Sequence, residues 1–147
     1  MLTCFDVANY FLTKNDDEEA GELISNLKLQ KLVYYAQGFH LAMFDEPLFG
    51  ESIEAWTHGP VIPDLYHVYK SCSYGPIPLP EDFDLSSIPR EKKEFLDEVF
   101  EVFGQYSALK LRDMTHEEPP WRDTPSGGVI SHELMRDYFK TLLSNEG

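Results

Sequence analysis

The chain has 147 residues, 42% of them hydrophobic and 14% aromatic, so it is long enough to bury one core and too apolar to stay disordered. Twenty-six Asp and Glu against 12 Lys and Arg leave a formal net charge of −14, which argues against nucleic acid as a partner and favours a basic protein steered in by the field. There is no signal-like leader and no apolar run long enough to span a bilayer, so a cytoplasmic protein without membrane contact is expected. Cys4 and Cys72 are then expected as free, buried thiols.

Phe5, Ala8, Phe11 and Leu12 recur at helical spacing and predict a short amphipathic helix from Cys4 to Thr13, capped by Thr3. Lys14 to Glu22 brings no apolar residue but Ala20 and predicts a solvated acidic loop. The next helix is apolar on two sides. Leu29, Leu32, Val33, Ala36, Phe39 and Met43 make one face, Leu27, Tyr34, Gly38 and Leu41 the other, with Lys28, Lys31, Gln30 and Gln37 as the polar flanks. Such a helix is central, with neighbours on both sides. Ser25 or Asn26 caps its start, and it should end near Asp45, before Pro47.

Leu48-Phe49 and Ile53 to Thr57 flank Gly50-Glu51-Ser52 and predict a small β-hairpin that must lie on the helices. Gly59-Pro60 reads as a break. Pro63 then starts a helix that buries Leu65, Val68, Tyr69 and Cys72 and leaves Tyr66, His67 and Lys70 near the surface. Prolines 76, 78, 80 and 89 predict an extended surface run. From about Pro89 to Phe103, Phe95, Leu96, Val99, Phe100, Val102 and Phe103 form the core face of a helix that Gly104 stops in a left-handed conformation.

Ser107 caps a shorter helix through about Met114, and Pro119-Pro120-Trp121-Arg122 turns the chain. Ser131 caps the last helix, in which Ile130, Leu134, Tyr138 and Leu142 recur every four residues, widened by Met135 and Phe139. The expectation is one domain over residues 1–147, of the α+β class and mostly α-helical, with about six helices around a central buried helix and one small hairpin. Leu29, Leu32, Tyr35 and Trp56 are its expected core residues.

Three strings, LKLQKLVYYAQGFHLA, PLFGESIEAWTHGPVIPDLY and LRDMTHEEPPWRDT, resemble in order and spacing the Panacea domain family of SocA-like antitoxins and proteolytic adaptors, which also takes in phage-associated GepA-like proteins. The resemblance implies a mostly helical fold with a small hairpin, no catalytic residue, and neutralisation of a cognate toxin encoded beside it. In some relatives the toxin is delivered to the ClpXP protease, so ClpX and ClpP are further partners to weigh. A phage- or prophage-encoded modulator of a host protein is the alternative, and a hydrolase comes third.

Nothing in the residues themselves calls for catalysis. His40, His58, His67, His116 and His132 form no ligand-spaced pair, and neither His-Glu-x-x-His nor Cys-x-x-Cys occurs, so no metal and no cofactor are expected. His40 shares the apolar face of the central helix and reads as a hydrogen-bonded core histidine. Gly127-Gly128 lacks the rest of a phosphate loop, and no Gly-x-Ser-x-Gly elbow exists. His116-Glu117-Glu118 has the groups to polarise a water, but the family that the chain resembles has no catalytic use for this stretch, which favours a structural role at the helix end. Trp56 reads as a core cover, whereas Trp121 beside Arg122 has the composition of a binding hot spot. The expected partner-binding residues are Tyr66, His67, Trp121 and Arg122, with the loop from Asp16 to Glu22 as the alternative surface.

Overall fold

The computed structural model describes residues 1–16, 23–72 and 75–144, and among them it holds seven α-helices and one two-stranded antiparallel sheet. This is the mostly helical α+β class expected, with one more short helix. None of the helices among the described residues is long and apolar enough to cross a membrane.

Helix α1, Cys4–Asp16, starts with a reciprocal cap: the Asp6 N–H donates to Thr3 Oγ1 at 3.1 Å and the Thr3 N–H to the Asp6 carboxylate at 2.9 Å. It runs three residues past its expected end, so Lys14 is helical and reaches Asp97 at 3.5 Å. The remainder of the expected acidic loop, 17–22, lies outside the described residues.

Helix α2, Asn26–Phe44, is the axis of the fold and packs against α1 and five later elements. Ser25 Oγ accepts from the Lys28 N–H, and Asp45, at φ 58°, ends the helix with its N–H on the Leu41 carbonyl. Leu29, Leu32 and Tyr35 are fully buried, and the Tyr35 ring stacks on Phe103 with centroids 4.0 Å apart. Met43, expected on the core face, is instead exposed on the last turn of the helix.

The hairpin is displaced from its expected place. Its strands are β1, Glu54–Trp56, and β2, Gly59–Val61, joined through Thr57-His58, so Gly59-Pro60 is strand where a break was expected. Leu48 and Phe49 do not pair with Ile53–Thr57, because a side chain takes their backbone: Gln37 Oε1 accepts from the Leu48 N–H at 2.7 Å and Gln37 Nε2 donates to the Phe49 carbonyl at 2.8 Å. The other edge of β1 is covered by the segment before the last helix, with the Ala55 N–H on the Gly128 carbonyl and the Ile130 N–H on the Ile53 carbonyl.

Helix α3, Pro63–Tyr69, opens on its proline as expected, yet it buries only Leu65 completely. Val68 is exposed and Tyr69 and Cys72 are half-buried, because seven residues make too short a helix for a full stripe. Cys4 is buried, and both thiols are free.

In α4, Arg90–Phe103, Phe95, Leu96, Val99, Phe100 and Phe103 face the core, while Val102 points out. Gly104 caps this helix at φ −63°, not in the left-handed conformation; a Cβ there would stand 2.5 Å from the Phe100 carbonyl oxygen, so space and not handedness selects glycine. Ser107 Oγ caps α5, Ala108–His116, by accepting from the Lys110 N–H, and α6, Pro119–Arg122, is a single turn.

The last helix, α7, His132–Ser144, starts at Ser131, whose Oγ accepts from the Leu134 N–H at 3.0 Å. Its buried centre is Met135 and Phe139, the pair read as widening the stripe, whereas Leu134, Tyr138 and Leu142 are half-buried. The rotation follows from Gly38: a Cβ there would lie 2.1 Å from the Phe139 ring, so the bare backbone of α2 lets α7 lay that ring directly on it.

Candidate functional site: an aromatic cleft beside a buried polar helix

The polar residues of α2 do not flank it; they are buried and hold the backbone of other segments. Lys28 Nζ donates to the Gly104 carbonyl at 2.8 Å, and Asn26 Nδ2 to the Tyr66 carbonyl at 3.2 Å. Gln30 Oε1 accepts from the Ile62 N–H at 2.9 Å while its Nε2 donates to Asn26. Lys31 Nζ donates to the Pro60 carbonyl at 3.2 Å. The side chain of Lys31 needs Gly59 behind it, since a Cβ at that residue, whose φ is +114°, would come 2.6 Å from Lys31 Cε.

His40 is the hydrogen-bonded core histidine expected. Its Nδ1 donates to the Glu46 carbonyl and its Nε2 accepts from Lys92 Nζ, both at 2.6 Å. Burial lowers its pKa, the bond to Glu46 opposes the shift, and Lys92 adds to it.

Glu118, within the His116-Glu117-Glu118 run, is buried at the start of α6 and accepts from the Tyr34 hydroxyl at 3.0 Å and the Tyr35 hydroxyl at 2.8 Å. Burial pushes its carboxyl up to about 7, against the lowering effect of the two phenol bonds. Burial also lowers Lys31 to about 7. The run therefore serves as a tie between α6 and the axis of the fold.

Above the Lys31 end of this network lies a cleft of about 690 Å³. Trp56, Tyr66, Leu27 and Val61 supply its apolar walls, Lys31, Gln30 and Asn26 reach it from α2, and His58 and Lys70 stand exposed at its rim. The Trp56 ring meets Tyr66 edge to face at 5.0 Å and lies 6.4 Å from His67, while its indole N–H donates to Glu54. Among the described residues no group of three His, Cys, Asp or Glu is placed to hold a metal ion.

The two tryptophans exchange their expected places. Trp56, expected in the core, is half-buried on the cleft wall and stands outside the core cluster, because β1 ends there and the hairpin presents the ring outward. Trp121, expected outward, packs against the core: its ring stacks on His116 at 4.1 Å and its indole N–H donates to the Trp56 carbonyl at 2.7 Å. Tyr66 and His67 do gather around Trp56, and Trp121 braces that group from behind. Arg122 is exposed, turned to Asp123 and the Glu117 carbonyl at 3.4 Å each, and does not line the cleft.

Sequence reading missed Lys31, His58 and Lys70 as cleft residues. A signal for Lys31 was present: a helix apolar on both sides leaves its polar residues no face in water, so they must be buried against something polar.

The family described as antitoxin SocA-like, Panacea domain, matches residues 29–122, from the first turn of α2 to the end of α6. Antitoxin SocA of Caulobacter vibrioides (strain NA1000 / CB15N) is 33% identical over 136 residues, covering 80% of this chain and 72% of that protein. No solved structure matches the chain. The matched span contains most of the polar ties of α2, the hairpin, the cleft wall of α3 and the Glu118 turn, and the chain belongs to the SocA-like Panacea domain family.

Proposed function

We propose that this chain is an antitoxin that neutralises a cognate toxin by direct, stoichiometric binding, without catalysis of its own. The observation that carries the reading is the likeness to antitoxin SocA over 80% of the chain. The geometry supports a binding role: Trp56 and Tyr66 are half-buried with an exposed His67 beside them, and aromatic residues at the edge of a cleft anchor protein interfaces. The net charge of −14 favours a basic toxin and a fast, salt-sensitive encounter. Delivery of the bound toxin to the ClpXP protease is a second step that this chain performs if the toxin's lifetime shortens in its presence. The contact surface we propose is Tyr66 and His67 with Trp56, extended toward Arg122 and supported from behind by Trp121.

Co-expression with each neighbouring reading frame tests the reading, scored by rescue of growth and by co-purification. Tyr66→Ala and Trp56→Ala are expected to weaken binding by about 2 kcal/mol each as interface anchors, with little change in the thermal melt. Absence of any toxic neighbour that the chain rescues would overturn the antitoxin reading.

A further inference from the structure

Lys31 is a buried amine without a carboxylate partner. Its side chain is fully buried, its one acceptor is the Pro60 carbonyl at 3.2 Å, and no carboxylate pairs with it among the described residues. When protonated it has three N–H donors, of which the Pro60 carbonyl takes one, and Lys31 is among the residues that line the cleft. A buried charge without a partner costs stability, and a carboxylate brought beside it offsets part of that cost.

The rest of the lining agrees in sign. Lys70 is the charged residue at the rim, and no Asp or Glu lines the cleft, in a chain where acidic residues outnumber basic ones 26 to 12. Glu54, beside Trp56 in β1, is held on the indole N–H at 2.9 Å and lies outside the lining. The walls are the apolar faces of Trp56, Tyr66, Leu27 and Val61. A cationic floor under aromatic walls fits an anion attached to an apolar body.

We propose that this cleft docks an acidic side chain of the partner protein, an Asp or Glu next to an aromatic or aliphatic residue, with the carboxylate on Lys31 and the apolar neighbour against Trp56 and Tyr66. The proposal deepens the antitoxin reading and rests on it only for the partner's identity. The carboxylate supplies the counter-ion that the fold withholds from Lys31, through a charge-assisted hydrogen bond in a site shielded from water. Local and global signs then differ, which serves specificity. The −14 surface repels acidic proteins in general, and only an acid presented beside an apolar anchor is rewarded.

A displayed library of random heptapeptides, selected in parallel on the native chain and on Lys31→Met, tests this. Met keeps the stem and removes the amine, which relieves the buried charge but leaves the Pro60 carbonyl without its donor, so the thermal melt of the variant is read beside its selection. The native chain should select peptides with Asp or Glu adjoining Phe, Tyr, Trp or Leu, against the repulsion of its own surface. The best peptide should lose roughly ten-fold or more in affinity on Lys31→Met, and a similar factor when its acid is changed to the amide, the range of a charge-assisted hydrogen bond. The amide arm needs no variant of the protein.

Selection of basic peptides, no selection at all, or acidic peptides held equally well after Lys31→Met or amidation would each overturn the proposal. Acetate or inorganic phosphate bound as tightly as the peptide would also overturn it and make the cleft a small-anion site. No toxin enters the selection, so failure of the antitoxin reading and failure of the cleft proposal are separable.

Discussion

Helices α2 and α7 lie against each other and use their polar residues in opposite ways. In α7 they face water: Arg136 and Lys140 stand outside, within 3.8 and 3.6 Å of Asp45, while Met135 and Phe139 go in. In α2, Asn26, Lys28, Gln30, Lys31, Gln37 and His40 are all buried, and each bonds a backbone group of another segment. Polarity in α7 marks solvent. Polarity in α2 marks where backbone outside the helices, above all in residues 46–62, needs partners beyond those its short hairpin provides.

The comparison is tested hardest where the two helices touch. Phe139→Ala removes the ring that sits on Gly38 and is expected to cost about 3–5 kcal/mol in denaturant melts, the range for deleting a buried aromatic. Gly38→Ala alone should also destabilise, by about 1–3 kcal/mol of overpacking. Combined, the two should cost less than their sum, since the added methyl then enters the space of the lost ring. Additive losses would mean that the ring is not seated on the glycine.

A smaller effect, of about 3 kcal/mol, is expected from the buried acid at the start of α6. Glu118 keeps its proton in the folded chain up to about pH 7 but releases it near 4.5 when unfolded, so between these values the unfolded chain binds fewer protons. Stability should therefore fall as pH rises from 4.5 to 7. Lys31 works the other way: held near 7 against 10.5 unfolded, it makes stability rise from pH 7 toward 10.5. The two contributions together place a minimum near pH 7. Glu118→Gln should flatten the acid side and Lys31→Met the alkaline side, read from melts across pH; a slope unchanged by its own variant would show that group to be solvated.

Much of the helical architecture was legible because local chemistry sets it. Thr3, Ser107 and Ser131 each cap the helix they were expected to cap, Ser25 is the one of the two offered residues that caps α2, and the buried faces of α2 and α4 follow their spacing apart from the exposed Met43 and Val102 and the half-buried Leu27 and Phe39. The register of the hairpin was not legible, because it depends on a side-chain amide, Gln37, taking backbone bonds that a strand would have made. The cleft was half legible. Tyr66 and His67 were placed at the surface correctly, but whether Trp56 or Trp121 faces outward is decided by the indole bond from Trp121 to the Trp56 carbonyl, a tertiary contact.

Gln37→Leu comes next in size. It strands the Leu48 N–H and the Phe49 carbonyl in a buried place, for about 2–3 kcal/mol at 1–3 kcal/mol per unmade bond with part recovered by water entry. Amide exchange at Leu48 should speed up well before global unfolding. A variant with unchanged exchange there would remove Gln37 from the ties that distinguish α2.

The smallest effect should come from the outward side of α7. Arg136 approaches Asp45 at 3.8 Å and Asp137 at 3.5 Å, with both carboxylates well exposed, so each attraction is weakened by water and opposed by the entropy of fixing a long side chain. Lys140 also reaches Asp45, at 3.6 Å, and remains after the arginine is gone. Arg136→Ala is therefore expected to change stability by less than about 1 kcal/mol, and by less still at high salt, where screening already weakens the pair. The measurement to make is the denaturant midpoint of Arg136→Ala beside that of Gln37→Leu at low and high salt. If the arginine costs as much as the glutamine, the polar residues of α7 tie structure as those of α2 do, and the contrast between the helices fails.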